Sequence, residues 1–207
     1  MNAIMIIVTM FLLGITLHAQ QSPIQPTVGN GGFIAMLASP TWLNGDAALL
    51  VGGGICGVFE HRLRLGVVGA GLVNDVHGRG ATAAARRSLT FGYGGFYGEY
   101  VINPENPFHV SVYTLAGAGG LLYNGSVEEP VGVAKTGSID VQFEIDRTTD
   151  AFFIAEPGMN VEAGVAKDIR VSAGAGYRFI YGVATDGVSN ATLSGPVATL
   201  MVRFGVF

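Results

Sequence analysis

The stretch Arg170–Val183, RVSAGAGYRFIYGV, indicates the fold most clearly. Its odd-numbered positions are all apolar or aromatic, namely Val171, Ala173, Ala175, Tyr177, Phe179, Tyr181 and Val183. Its even-numbered positions are small or charged apart from one isoleucine, namely Arg170, Ser172, Gly174, Gly176, Arg178, Ile180 and Gly182. Only a β-strand sends neighbouring side chains to opposite faces, so the stretch predicts a strand with one apolar face.

The same alternation divides the chain into eight predicted strands, which cover residues 31–40, 47–60, 63–74, 88–102, 108–123, 151–166, 169–183 and 196–207. The connections after the second, fourth and sixth strands are short: Glu60–Arg62, Asn103–Pro107 and Lys167–Asp168. The connections after the first, third, fifth and seventh strands are longer: Thr41–Asp46, Asp75–Arg87, Asn124–Asp150 and Ala184–Gly195. This predicts an antiparallel meander with two unlike ends, as in outer-membrane barrels, whose short turns face the periplasm and whose long loops face outside.

The composition of the 207 residues excludes several classes of protein. Glycine contributes 32 residues, charged residues make up only 13% and hydrophobic residues 49%. A disordered chain would be less hydrophobic and more charged. A disulfide scaffold would need more than one cysteine, and a nucleic-acid binder would be basic, whereas this chain has a net charge of -4.

The charges lie mainly in the predicted loops, which favours a membrane barrel over a soluble β-domain. A soluble sheet needs polar side chains on its outer face, whereas lipid requires an apolar outer face and a sheet that closes on itself. The glycine excess fits a narrow interior, where Gly52, Gly54, Gly174 and Gly176 leave room for larger side chains. We therefore predict an all-β fold, an eight-stranded antiparallel up-and-down transmembrane β-barrel. Transmembrane helices and a secreted soluble β-domain are the alternatives.

The N-terminal residues are typical of a secretory signal peptide. The apolar run Ile4–Leu17 is followed by Ala19, after which we predict cleavage. The alternative is an uncleaved anchor, but as a helix the run is only about 21 Å long and a hydrocarbon core is about 30 Å thick. We predict a signal peptide over 1–19, a periplasmic linker over 20–30 and a barrel domain over 31–207, exported to the outer membrane of a Gram-negative bacterium.

The sequence resembles the small eight-stranded outer-membrane barrels of the OmpA/OmpX type over essentially its whole mature length. The signal peptide, the strand number, the alternating connections and the closing segment Pro196–Phe207 carry the resemblance. It implies that the terminal aromatic residue is read by the barrel-assembly machinery, and that outer-membrane lipid and lipopolysaccharide surround the protein. The resemblance implies apolar residues at alternate positions counted back from the final Phe207. In this sequence those positions are Gly205, Arg203 and Met201. We therefore expect either Phe207 to turn outward past the strand end or Arg203 to extend to the membrane interface.

Five residues of the sixth and seventh predicted strands are candidates for a polar network inside the barrel. Glu156, Asn160 and Glu162 share one face of the sixth strand, and Arg170 and Arg178 lie on the matching face of the seventh. The short turn between these strands brings the two sets together. We predict ion pairs and hydrogen bonds that fill the interior, with a gated ion path as the alternative. Aromatic girdles at the strand ends are predicted from Tyr93, Tyr97, Tyr100, Tyr177, Phe179 and Tyr181.

Two irregularities are predicted within the strands. Pro157 cannot donate a backbone hydrogen bond, which favours a β-bulge, with a turn as the alternative. A second bulge is predicted at Gly94–Gly95, because the apolar phase changes there from Phe91 and Tyr93 to Phe96.

One set of residues raises an enzymatic alternative. His109 and Ser111 share a strand face, and Glu99 approaches them across a short turn. A His/Ser/acid set is typical of esterases, and some small outer-membrane barrels deacylate lipid A, but such a site would have to face the bilayer. The sequence contains no nucleophile elbow, metal-ligand spacing or phosphate-binding glycine loop. We therefore predict no enzyme activity and no cofactor.

The segment 124–150 is the strongest candidate for surface contact. Within it, apolar residues alternate with polar ones at Ile139, Val141, Phe143 and Ile145. This predicts that the sixth strand continues above the membrane and pairs with Gly125–Ala134. Such a sheet offers an edge to an extracellular protein partner, with a hairpin packed on the neighbouring loops as the alternative. Lipopolysaccharide phosphates are candidate ligands for Arg79, Arg86 and Arg87, with a solvated loop as the alternative. We predict a non-enzymatic outer-membrane protein with a structural or surface-interaction role.

Overall fold

The computed structural model describes residues 31–76, 87–129, 142–184 and 188–207. The strands are β1 (Gly31–Leu43), β2 (Asp46–Phe59), β3 (Leu63–Leu72), β4 (Arg87–Ile102), β5 (Phe108–Glu129), β6 (Gln142–Ala166), β7 (Ile169–Tyr181) and β8 (Gly195–Val206). A short helix, α1, spans Asn190–Leu193. The predicted signal peptide and linker lie outside the described residues, as do Arg79, Arg86, Ile139 and Val141.

The eight strands form one closed antiparallel barrel. Each strand pairs with the next along the chain, and β1 pairs with β8, where Phe33 lies opposite Gly205 and Leu37 opposite Met201. Closure gives every strand two neighbours, which is the condition that lipid imposes on a sheet. The predicted eight-stranded up-and-down barrel is confirmed.

Side chains alternate between the interior and the outer surface along each strand. In β7, for example, Phe179 and Tyr181 are exposed while Arg178 and Ile180 are buried. The outer surface of the described strands carries many large apolar side chains, including Ile34, Met36, Ile55, Leu65, Val67, Phe96, Phe108, Val112, Phe153, Met159, Val161 and Phe204. Phe96 is 79% exposed. This surface is the reverse of a soluble β-domain, which turns its apolar face inward.

The first connection is shorter than predicted. β1 continues to Leu43 and β2 begins at Asp46, so only Asn44 and Gly45 lie between them. Both residues have positive φ, 52° and 92°, and an Asn-Gly pair of this kind makes the tight type I′ turn of a hairpin. The predicted longer loop over Thr41–Asp46 is wrong because this turn lets the ladder continue to the strand ends.

Neither predicted bulge is present. The β6–β7 pairs before and after Pro157 keep one register, so β6 passes the proline without a bulge or a turn. Proline removes one ladder hydrogen bond without requiring an extra residue. The register shifts instead between Gly164 and Ala166. β4 likewise keeps one register with both neighbours through Gly94 and Gly95.

The apparent change of phase in β4 comes from aromatic residues that fill the interior. Phe91, Tyr93 and Tyr97 occupy inward-facing positions and are buried, whereas Phe96 faces outward. The predicted aromatic girdle is therefore wrong for Tyr93 and Tyr97. Its other members are exposed: Tyr100, Tyr177, Phe179 and Tyr181.

β5 and β6 continue beyond the rest of the barrel. Gly125–Glu129 pairs with Gln142–Asp146, and we call these two segments the β5–β6 extension. β4 begins opposite Gly125, and β7 ends opposite Phe153. The predicted continuation of the sixth strand and its pairing with β5 are confirmed over these segments, while residues 130–141 lie outside the described part of the chain.

The connection between β7 and β8 contains α1. Its N-cap residue Ser189 and Thr192 form a reciprocal capping box, which holds the single turn in place. The Asn44 backbone N–H donates to the Thr192 carbonyl at 2.7 Å, and Leu193 is buried. α1 therefore packs over the end of the barrel where the longer connections lie. No described helix is long and apolar enough to cross a membrane.

Candidate functional site

The interior of the barrel contains most of the buried polar side chains, arranged as two separate clusters. The first, here called the short-turn cluster, consists of five charged residues near the short connections: Arg64, Glu99, Glu162, Arg170 and Arg203. Each comes from a different strand, because inward-facing positions of β3, β4, β6, β7 and β8 converge on the narrow interior.

Glu162 lies at the centre of the short-turn cluster. Arg64 binds it through two parallel hydrogen bonds, from Nη2 to Oε1 at 2.6 Å and from Nη1 to Oε2 at 2.8 Å. Arg170 Nη1 donates to Glu162 Oε1 at 3.0 Å, and Arg203 Nη1 pairs with Glu162 Oε2. Such paired, charge-assisted bonds fix the geometry of both partners.

Glu99 is the second carboxylate of the short-turn cluster. Arg64 Nη1 lies 3.2 Å and Arg203 Nη2 lies 3.1 Å from its Oε2. The Ser111 hydroxyl and the Asn160 amide both donate to Glu99 Oε1. Since its side chain is fully buried, these bonds replace the water that the charge loses on burial. Loss of one partner would leave an uncompensated buried charge.

The second cluster, here called the mid-barrel cluster, consists of Glu156, Arg178 and Tyr93. Arg178 is completely buried; its Nε donates to Glu156 Oε2 at 3.1 Å and its Nη2 to the Tyr93 hydroxyl at 3.3 Å. The guanidinium also lies over the ring of Phe91, 5.7 Å from its centroid. The Glu156–Arg178 ion pair thus packs against aromatic rings, which stabilise the arginine cation through cation–π interactions.

Glycine residues make room for the large polar groups. A Cβ at Gly174 would collide with the Asn160 side-chain amide, and a Cβ at Gly158 would collide with the Tyr113 ring. The side chains of β5 and β6 therefore lie across the bare backbone of the next strand. This is the structural reason for part of the glycine excess in the composition.

Both ends of the interior are filled. Near the longer connections the filling is apolar, with fully buried Leu43, Leu50, Phe91, Leu121, Phe152 and Leu193. Near the short turns the ring of Phe207 stacks on Phe33 with centroids 5.4 Å apart, and the Arg170 guanidinium lies 4.3 Å from the Phe207 centroid. The described residues thus pack the barrel from end to end.

The structure corrects both expectations about the last strand. Arg203 does not extend to the interface, because it is completely buried between Glu99 and Glu162. Phe207 follows the end of β8 and turns inward onto Phe33 instead of outward. Phe207 and Arg203 both face the barrel interior. The apolar residues Leu200, Val202 and Phe204 alternate with them and therefore face outward.

The five residues proposed from sequence for an interior network lie inside the barrel in two groups. Glu162 contacts Arg170, and Glu156 contacts Arg178. Asn160 hydrogen-bonds to neither arginine and donates instead to the Tyr97 hydroxyl, at 3.4 Å, and to Glu99. The sequence reasoning missed the cluster members Arg64, Glu99 and Arg203, although Arg64 and Arg203 stand on the inward phase of their strands.

The His109, Ser111 and Glu99 side chains do not form a catalytic arrangement. All three are buried in the interior, away from the lipid-facing surface. Ser111 donates to Glu99, whereas His109 Nε2 lies 3.1 Å from Arg170 Nη1. No hydrogen bond joins His109 to Ser111, so the histidine is not placed to activate the hydroxyl.

The predicted surface residues are only partly within the described chain. Phe143 pairs with Glu128 and Ile145 with Ser126 in the β5–β6 extension. Arg87 begins β4 opposite Gly125. Within the described ranges, no group of three or more His, Cys, Asp or Glu side chains is placed to hold a metal ion.

An apolar outer surface around a closed, filled eight-stranded sheet defines a small β-barrel of the outer-membrane class. The chain is similar to Ail, the attachment invasion locus protein of Yersinia pestis, with a TM-score of 0.49 and 13% identity over 86% of this chain and 99% of that one. It is similar to Neisserial surface protein A, with a TM-score of 0.44 and 17% identity over 87% and 99%. It is also similar to Acinetobacter baumannii CarO, with a TM-score of 0.40 and 10% identity over 83% and 96%.

These similarities concern the fold alone. One of the Ail structures is a complex with the heparin analogue sucrose octasulfate. No protein-family model matches the sequence, and no curated protein does so either.

Proposed function

We propose that this chain is a non-enzymatic outer-membrane protein of a Gram-negative bacterium, in which a filled barrel anchors a surface-exposed β5–β6 extension that contacts an extracellular partner. The protein is exported with cleavage near Ala19, and residues 20–30 form a periplasmic linker. The short connections then face the periplasm, and the β5–β6 extension faces outside.

The filled interior carries the first part of this proposal. Two clusters of buried ion pairs and an apolar plug occupy the space that a pore would need. A role as anchor and scaffold is compatible with such an interior, whereas free diffusion of solutes is not. The placement of His109 and Ser111 away from the lipid gives no support to lipid hydrolysis.

The shape of the β5–β6 extension supports the surface role. Among the described residues, the backbone of Gln142–Thr149 pairs with β5 but with no residue of β7. A strand edge of this kind can add a further strand through main-chain hydrogen bonds. An extended segment of an extracellular protein is the partner that this geometry favours.

The lipid environment supplies the remaining proposed partners. The exposed apolar side chains would contact outer-membrane lipid, and Arg79, Arg86 and Arg87 are candidates for contact with lipopolysaccharide phosphates. Insertion would depend on the barrel-assembly machinery, with Phe207 as the terminal mark. No nucleic-acid partner is proposed.

The test is to shorten the β5–β6 extension without touching the barrel. In the variant, an Asn-Gly turn replaces residues 126–145, and heat-dependent gel migration verifies that the barrel still folds. Bacteria that express each form are compared for self-aggregation and for attachment to cultured cells. We expect the shortened form to fold and insert but to lose the contact phenotype.

A matched variant keeps the length of the extension and replaces Ser126 and Val127 by proline, which removes backbone donors from the ladder. Like the shortened form, this variant is expected to reduce self-aggregation and attachment to cultured cells. Unchanged contact with the shortened form would contradict a surface role for the extension.

A further inference from the structure

We infer that His109 acts as a proton switch at the short-turn end of the barrel. When neutral, the ring accepts a hydrogen bond from Arg170 and keeps that side chain against the ring of Phe207; when protonated, it repels Arg170. His109 is buried, and its Nε2 lies 3.1 Å from Arg170 Nη1. The inference does not depend on the surface contact proposed above.

The contact with Arg170 defines the protonation state of the histidine. A guanidinium group only donates hydrogen bonds and stays charged in proteins. His109 Nε2 must therefore be the acceptor, which requires a neutral ring that carries its proton on Nδ1. A protonated ring would instead place an N–H donor and a second positive charge against the Arg170 donor.

The charges around the ring oppose its protonation. Arg170, Glu162 and Arg64 face the ring, as does the backbone of Asn103 in the turn before β5. Glu162 lies opposite His109 in the β5–β6 ladder, but all three arginines of the short-turn cluster already pair with it. The cluster as a whole has three arginines and two carboxylates, contributed by β3, β4, β6, β7 and β8. A proton on His109 would raise this excess of one positive charge to two.

Arg170 is the member of the cluster that can respond to such a change. Its side chain is 14% exposed, whereas those of Arg64, Glu99, Glu162 and Arg203 are at most 1% exposed. Repulsion by a protonated His109 would therefore move Arg170 towards water and leave the other charge pairs of the cluster in place.

Arg170 connects the histidine to the β1–β8 junction that closes the barrel. Its guanidinium lies 4.3 Å from the centroid of the Phe207 ring. That ring follows the end of β8 and stacks on Phe33 of β1, with centroids 5.4 Å apart. Displacement of Arg170 would remove its bond to Glu162 and its cation–π contact with Phe207. Acid would thereby weaken the closure of the barrel at its short-turn end.

Urea unfolding of the folded chain in lipid vesicles between about pH 5 and pH 8 tests the inference, with the parent chain and His109→Gln measured side by side. Glutamine can accept from Arg170 through its side-chain oxygen but does not titrate. A histidine in an unfolded chain has a pKa of about 6.5. Below that pH, the unfolding constant of the parent divided by that of the variant should rise by up to about tenfold per pH unit.

Parallel pH profiles of the parent and His109→Gln would overturn the inference. His61→Gln is the matched control, because His61 lies in the turn between β2 and β3. This variant should keep the acid sensitivity of the parent, and its loss there would also count against His109 as the switch.

Nitrogen NMR of the folded chain, labelled at histidine, gives a readout that needs no variant of His109. The variants His61→Gln and His77→Gln assign the other two histidines that follow the predicted signal peptide, so the His109 signal is found by elimination. At neutral pH we expect a neutral His109 ring with its proton on Nδ1. A proton on Nε2, or a cationic ring at neutral pH, would overturn the inference.

Discussion

Arg203 of β8 and Glu162 of β6 form an ion pair across the barrel, although their strands are separated by β7. Glu162 also binds Arg64 of β3 from the opposite wall. The pair therefore ties distant parts of the closed sheet together through its interior. This connection, together with ion pairs between adjacent strands such as Arg64 with Glu99, makes the short-turn cluster a single unit.

Replacement of Glu162 by glutamine should strongly destabilise the barrel. The change leaves three arginines with one carboxylate, and loss of one member of a buried ion pair costs about 3–5 kcal/mol. Urea unfolding in lipid vesicles, followed by heat-dependent gel migration, measures the effect. Glu105→Gln in the exposed turn after β4 is the control and should have little effect. Equal stability of the two variants would contradict a structural role for the cluster.

Substitution of Gly174 by alanine should destabilise the barrel because the added methyl group meets the Asn160 side chain. Overpacking of this kind costs about 1–3 kcal/mol. The same unfolding assay is used, with Gly164→Ala as control, since no atom lies within 4 Å of a Cβ at that position. Asn160→Ala in the Gly174→Ala background should recover part of the loss. If both alanine variants are equally stable, Gly174 is not needed to make room for the Asn160 side chain.

The alternation of residues predicts most of the fold, including the strand number and the antiparallel closed sheet. It does not predict which inward residues meet when their strands are not neighbours. Arg64 and Glu162 are 98 residues apart, on strands that are not neighbours. Their contact depends on how the sheet tilts as it closes, and a local pattern carries no information about tilt.

Local errors in the sequence predictions also have physical causes. The apolar character of Phe91 and Tyr93 predicts that they face outward, but a narrow barrel also needs large rings inside, and Phe91 stacks on Phe152 with ring centroids 4.9 Å apart. The prediction of a longer first connection leaves out the turn signal of Asn44–Gly45, which closes a two-residue hairpin. A hairpin rule would have found it.

An arginine in place of Phe96 should destabilise the protein in lipid. Phe96 lies near the middle of β4 and faces outward, and a charged residue at the bilayer midplane costs about 2–4 kcal/mol. Phe59→Arg, at the end of β2, is the matched variant and should cost about 0–1 kcal/mol. Free energies of unfolding in vesicles give both values. Equal costs at the two positions would argue against a membrane-spanning barrel.

Replacement of Ser111 by alanine should lower stability without changing any lipid hydrolysis. The hydroxyl donates to buried Glu99, and loss of a hydrogen bond to a charged group costs about 1.5–3 kcal/mol. Purified protein is incubated with lipopolysaccharide and the released fatty acids are measured, alongside His109→Ala. We expect no release above background from any form. Release by the parent chain that Ser111→Ala abolishes would revive the enzymatic alternative.

Ion clusters and apolar side chains fill the barrel from end to end in the described residues. The most direct test is the conductance of the folded, purified protein in a planar lipid bilayer. We expect no sustained openings at the level of a porin, because the two clusters and the apolar plug occupy the interior. A stable open level of porin size from the parent chain would contradict the claim.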